Sequence, residues 1–308
     1  MQHKNLLERK AHLKGLSYVM FAILIWSGWV VVSRFGIKGT LSAYDITAIR
    51  FTTSGIILLP VVIKKGLRIG PWGVKSSLIL SLLMGALYTN IAIFGMKFAP
   101  VSHVSTVING VLLAVTTIVG MHGLREHIPV SRMVGMACSL SGIACMLLAH
   151  SSSGSEQWIG HLCFAIAGVM WASYALLVRA WKLDALHTAA IVCVFSLFTY
   201  MPFYFAFATS HIGISNWHEV VFQAMYQGVL TGIVALIAFN LGLKIIGAAH
   251  AGSLIPLVPA ISTLMAIPIL DEMPTLTEWL GVGAITIGAF ISSGLINFSM
   301  PCKEKPQS

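Results

Sequence analysis

A chain of 308 residues with 57% hydrophobic and 9% charged side chains carries far too few charges for a soluble fold, where about a quarter would be charged. Its mean hydropathy of +0.86 points to a lipid bilayer as its surroundings. A formal net charge of +9 would suit a nucleic acid only if the basic residues clustered; here they lie between apolar runs, and no nucleic-acid partner is expected.

Ten apolar runs of about 20 residues each are long enough, at ~1.5 Å per residue, to cross a ~30 Å hydrocarbon core. Lipid offers backbone N–H and C=O groups no partner, so each run must be helical. The first five cover 15–34, 44–63, 74–95, 100–120 and 132–150. A polar SSSGSE link at 151–156 follows, then runs at 158–178, 187–208, 222–243, 249–269 and 278–298. The expected organisation is therefore an all-α polytopic membrane protein. It has a segment 1–14, a five-helix unit 15–150, a link 151–157, a second unit 158–298 and a tail 299–308.

The two units repeat each other. Gly15, Trp26 and Arg34 recur as Gly160, Trp171 and Arg179, while Lys97 and His103 recur as Lys244 and His250. Glu126, Gly135 and Gly142 recur as Glu272, Gly281 and Gly288. Five crossings per unit force the second copy into the membrane from the opposite side, giving inverted repeats. With the N-terminus in the cytoplasm, only Arg34, Lys38, Lys97 and Arg50 fall off the cytoplasmic side, so both termini are expected there, in a cell (inner) membrane. The first run is long, contains Trp26 and Trp29 and lacks an A-x-A pattern, and is read as a retained span. Cys138, Cys145, Cys163 and Cys193 fall within spans as small apolar side chains, with no metal site or cofactor implied, and Cys302 stands beyond the last span. The matched glycines of spans five and ten lie seven residues apart on one face, a packing surface, and Gly283 could serve a weak homodimer through those helices.

Several segments resemble the EamA family of the drug/metabolite transporter superfamily. They are LIWSGWVVVSR at 24–34, Asp45 and Arg50 in YDITAIRF, GMKFAPVSHVS at 95–105, LREHIPVSRMVGMACSLSGI at 124–143 and LDEMPTLTEWLGVGAITIGAF at 270–290. The link IIGAAHAGS and the proline-rich ninth span depart from the pattern. The resemblance implies a ten-helix exporter or exchanger of small metabolites, with a central cavity lined by helices one, three, four, six, eight and nine. Fold alone does not select the solute.

A repeat transporter is expected to hold its site near the midplane, where interrupted helices expose backbone groups. Pro256, Pro259 and Pro268 interrupt span nine, and Asn109-Gly110 stands at comparable depth in span four. Tyr88, Thr89 and Asn90 would be costly against lipid and should face inward. Trp26 and Trp171 form a symmetric aromatic pair, read either as a substrate clamp or as core filling. Asn240 is a substrate or interhelical group. His103 and His250, repeat-related on opposite faces, could couple a proton to transport, although an interfacial hydrogen-bonded histidine is the plainer reading. Arg50 could attract a carboxylate, with snorkelling or pairing to Asp45 as the preferred alternative. Arg34 and Arg179 read as interfacial anchors, and Glu126 and Glu272 as ties at helix ends that gate motion.

These features favour a secondary transporter, with amino acids or related metabolites as the small-molecule substrate and export as the direction. A drug or other metabolite carrier of the same fold is the near alternative. A membrane-embedded enzyme would need convergent nucleophiles, acids or metal ligands, and the sequence has no HExxH or paired buried carboxylates.

Overall fold

The computed structural model describes residues 2–123, 129–149, 156–252 and 254–292. Glu126, link residues 151–155 and the tail lie outside the described residues. Every regular element within them is helical. The first half consists of α1 (Gln2–Lys38), α2 (Ala43–Lys65), α3 (Val74–Met84 and Ala86–Gly95), α4 (Val101–Ile118, extended by a π turn at Val119–Gly123) and α5 (Val130–Ala149). The second consists of α6 (Gln157–Ala180), α7 (Ala185–Phe207), α8 (Trp217–Gly247), α9 (Leu257–Leu270) and α10 (Leu276–Ser292). Among the described residues eight stretches are long and apolar enough to cross a membrane by length and composition; α5 and α10 are shorter apolar helices. Residues 2–14, expected as a cytoplasmic N-terminal segment, continue α1 as helix.

Local chemistry sets the boundaries. Ser42 and Asp45 form a reciprocal capping box that starts α2: the Ser42 hydroxyl accepts from the Asp45 N–H at 3.2 Å, and the Asp45 carboxylate accepts from the Ser42 N–H at 2.8 Å. Asp184 caps α7 through the His187 N–H, and Asn216 caps α8 through the His218 N–H. Two irregularities lie inside spans. α3 breaks at Gly85, where a β-carbon would collide with the Ser196 hydroxyl and the Ser81 carbonyl. The Ala86 N–H freed by that break donates to Ser196 Oγ of α7 at 3.1 Å. α8 widens into a π-helix over Ala224–Val234 and bends at Gly247, which has φ +83°.

The packing maps onto itself when the halves are exchanged. α2 packs on α7, α4 on α9 and α5 on α10, each a helix against its own repeat mate. α1 packs on α8 as α6 packs on α3, and α1 on α9 as α6 on α4. A two-fold axis relating five-helix halves produces this set, and the odd helix count inverts the second half. The protein is thus an all-α assembly of two inverted five-helix repeats. The glycine faces of α5 and α10 meet each other: the β-carbon position of Gly135 lies against the Gly288 carbonyl and that of Gly142 against the Gly281 carbonyl. Those faces are used within the chain, whereas the Gly283 position meets none of the described residues. Large apolar side chains such as Ile63, Phe205, Phe207 and Leu280 point outward, as a lipid-facing surface requires.

Candidate functional site

Polar groups concentrate at two levels. The first is the face where α1 ends and α4 and α10 begin. Glu272, in the loop between α9 and α10, accepts from Arg34 Nε at 2.9 Å and from the Val101 N–H at 3.1 Å, and pairs with Lys38 Nζ at 2.9 Å. Burial alone would raise the Glu272 carboxyl, but the hydrogen bonds from Arg34, Lys38 and the Val101 N–H outweigh it and hold the pKa below the ordinary 4.5. One carboxylate of the second half therefore ties down α1 and the start of α4, both from the first.

A second tie lies beside it. His103, fully buried, brings Nε2 to 2.9 Å from Glu278 Oε1 and Nδ1 to 2.6 Å from His161 Nε2. Glu278 also accepts from the Ser102 hydroxyl and the Thr275 N–H. With Glu278 ionised and both rings neutral, a single proton arrangement satisfies both contacts. His103 donates from Nε2 to the carboxylate, and His161 donates from Nε2 to His103 Nδ1.

The second level is the interior between α1, α2 and α8. Gln223 and Gln227, both fully buried on α8, donate to the Val32 carbonyl and to Ser33 Oγ, each at 2.9 Å. Arg50 Nη1 donates to Gln227 Oε1 at 3.4 Å, with its guanidinium 5.7 Å from the Trp29 ring centre. Elsewhere in the interior, α4 and α9 meet through Ser105 and Ser262, whose hydroxyl oxygens are 2.8 Å apart.

A cavity of about 500 Å³ opens at the surface between α3 and α7, with Asn90, Leu82, Phe94 and Tyr200 among its walls. It is lateral, and of the residues expected at the site only Asn90 lines it. The Asn90 amide donates to the Tyr200 hydroxyl at 2.5 Å.

The other expected residues separate. Trp26 packs against Phe239 with ring centres 5.1 Å apart, while Trp171 stands edge-on to buried Tyr88 at 6.4 Å, so each member of the symmetric pair has its own neighbour. Asn109 turns back onto the Ser105 carbonyl, and Asn240 is half-buried on α8. Pro256 caps α9, and the Pro259 carbonyl accepts from the Ser262 and Thr263 hydroxyls. His250 is exposed with its ring edge to His12, unlike buried His103. Asp45 is committed to Ser42, Tyr204 and the His211 N–H rather than to Arg50. Sequence reasoning missed His161, Gln223, Gln227 and the burial of Glu278. Two glutamines four residues apart in an apolar run were a readable signal, since both must bond inside the protein.

The model of the EamA-like transporter family matches residues 13–148 and again 158–294. An uncharacterized transporter of Bacillus subtilis, YoaV, is 23% identical over 91% of this chain and 97% of its own length. An uncharacterized transporter of Clostridium kluyveri is 24% identical over 91% and 93%. One crystal structure superposes with a TM-score of 0.60 over 92% of this chain and 95% of the other, at 18% identity.

Proposed function

The chain belongs to the EamA-like transporter family, and on that premise we propose that it moves small metabolites, amino acids or related compounds, by alternating access around a central site. What carries this reading is the closure of the Arg34 face by side chains that cross between the halves: Arg34, Lys38, Val101 and His103 from one, Glu272 and Glu278 from the other. A closure made between two symmetric bodies opens when they rock apart. By inversion, the repeat mates Arg179, Glu126 and His250 belong to the opposite face, where they would serve the alternate state.

The Arg34 face is the external one in this account, with both termini cytoplasmic in the cell membrane. Export is the proposed direction. The substrate is enclosed between α1, α2, α4, α8 and α9, with aromatic and amide groups as its contacts. The family and the names of its relatives favour transport over catalysis. Purified protein in vesicles should show saturable counterflow of a labelled amino acid. Counterflow of a different solute class alone would overturn the substrate, and membrane-lipid chemistry without counterflow would overturn transport. Labelling of cysteines at Ser151 and Lys64 from the same side would overturn the inverted arrangement.

A further inference from the structure

Arg50 is a permanent cation near the start of a membrane-spanning helix, and it is poorly matched by the protein around it. A guanidinium has five N–H donors and stays charged in a folded protein. Its hydrogen bond to Gln227 Oε1, at 3.4 Å, is long and to a neutral acceptor. The rings of Trp29 and Phe51 flank it, with centres 5.7 and 5.6 Å away. Among the described residues no carboxylate pairs with it. Helix geometry explains why Asp45 does not: five residues advance about 140° around the axis beyond one full turn, which points the two side chains apart.

The flanking indole adds a second donor. Trp29 is 9% exposed, and its Nε1–H is buried with no acceptor among the described residues. An indole N–H can only donate. Two neighbouring groups thus hold unused donors, one of them charged, in a setting where unsatisfied charge is costly and is retained for use. The offset of 145 to 147 that relates the repeats brings position 50 to Phe195, Ser196 and Leu197, so the charge is no part of the scaffold the halves share.

We propose that Arg50 and Trp29 form an anion site that takes the carboxylate of a small organic acid or amino acid. A carboxylate presents two acceptor oxygens that match the guanidinium fork, with lone pairs left over for the indole N–H. The proposal rests on the transport reading above and narrows its substrate class: a solute without a carboxylate leaves both donors unanswered.

The test is counterflow in vesicles with a pool of labelled amino acids and small carboxylic acids, each competed by its unlabelled form, its primary amide and its decarboxylated analogue. The carboxylates should compete at least about tenfold better than the amides and decarboxylated analogues. Arg50→Gln should raise KM about 10- to 100-fold with transport at saturation largely kept, Arg50→Lys less, and Trp29→Phe, which retains a ring and removes only the donor, about 3- to 10-fold. Equal competition by the amides, or a folded Arg50→Gln protein with unchanged KM, overturns the site while leaving transport intact. Should Arg50→Gln fail to fold, an unchanged KM in Trp29→Phe overturns it instead. A folded wild-type protein that exchanges no solute overturns the transport reading and this site with it.

Discussion

Replacing Glu272 by Gln tests the closure of the Arg34 face with little change of shape. The carboxylate holds Arg34 and Lys38 at 2.9 Å each, and the Arg34 side chain is 17% exposed against 42% for Lys38. The exposed lysine pair contributes about 0–1 kcal/mol. The more buried, charge-assisted arginine bond loses about 1–2 kcal/mol when its acceptor becomes neutral, and the Val101 N–H keeps an oxygen partner. The total, roughly 1–3 kcal/mol, shifts the ratio of closed to open forms about 5- to 150-fold. Ser105→Cys, at a position 3% exposed on α4, reports the change in a background without native cysteines, through its labelling rate by an impermeant maleimide added from the Arg34 side. The rate should rise by a similar factor in the Glu272→Gln protein. A lowered carboxyl pKa means that the pairs are complete above the ordinary 4.5 and are lost as pH falls below it. Corrected for the thiolate fraction of the cysteine, the wild-type rate governed by this latch should therefore stay flat from about pH 5 to about pH 8. A rate unchanged within twofold in folded Glu272→Gln protein would refute the closure.

Three other outcomes follow from the same geometry. His103→Ala removes one of the donors to the 4% exposed Glu278 carboxylate, which keeps Ser102 and Thr275, and should cost about 1.5–3 kcal/mol, while adding Glu278→Ala should recover part of that loss; strictly additive losses in a thermal double-mutant cycle would contradict the tie. Gly288→Leu drives a side chain into Ser139 and the Gly135 carbonyl and should unfold the α5–α10 contact, whereas Gly283→Leu should leave the melting temperature unchanged and, if two copies meet there, shift the particle to a monomer in size-exclusion chromatography. Ser196→Ala leaves the Ala86 N–H at the α3 break unpaired, so a loss of about 1–3 kcal/mol is expected, and an unchanged melting temperature would mean that the break is satisfied otherwise.

The architecture was legible because lipid imposes helix length and because duplication kept Gly15 with Gly160 and Arg34 with Arg179 in register. The break at Gly85 was not, since glycine in an apolar run gives no sign of the Ser196 hydroxyl that accommodates it from another helix. The repeat fixes register but not surroundings: Trp26 and Trp171 occupy matching positions, while their neighbours Phe239 and Tyr88 do not. His161 has no repeat mate, position 16 being leucine, so a search by repeat could not find the contact it makes with His103. Glu278 reads as a loop-edge acid and is buried because Ser102 and His103 at the start of α4 need its oxygens. Arg50 could have been separated from Asp45 by helical angle alone.

Alternating access is tested most directly by locking the Arg34 face. Arg34→Cys with Glu272→Cys, joined by a short cleavable bis-maleimide, bridges the halves at the ion pair. The account predicts that the bridge abolishes counterflow and that cleaving it restores exchange to the level of the unbridged double variant. Undiminished counterflow through fully bridged protein would contradict it.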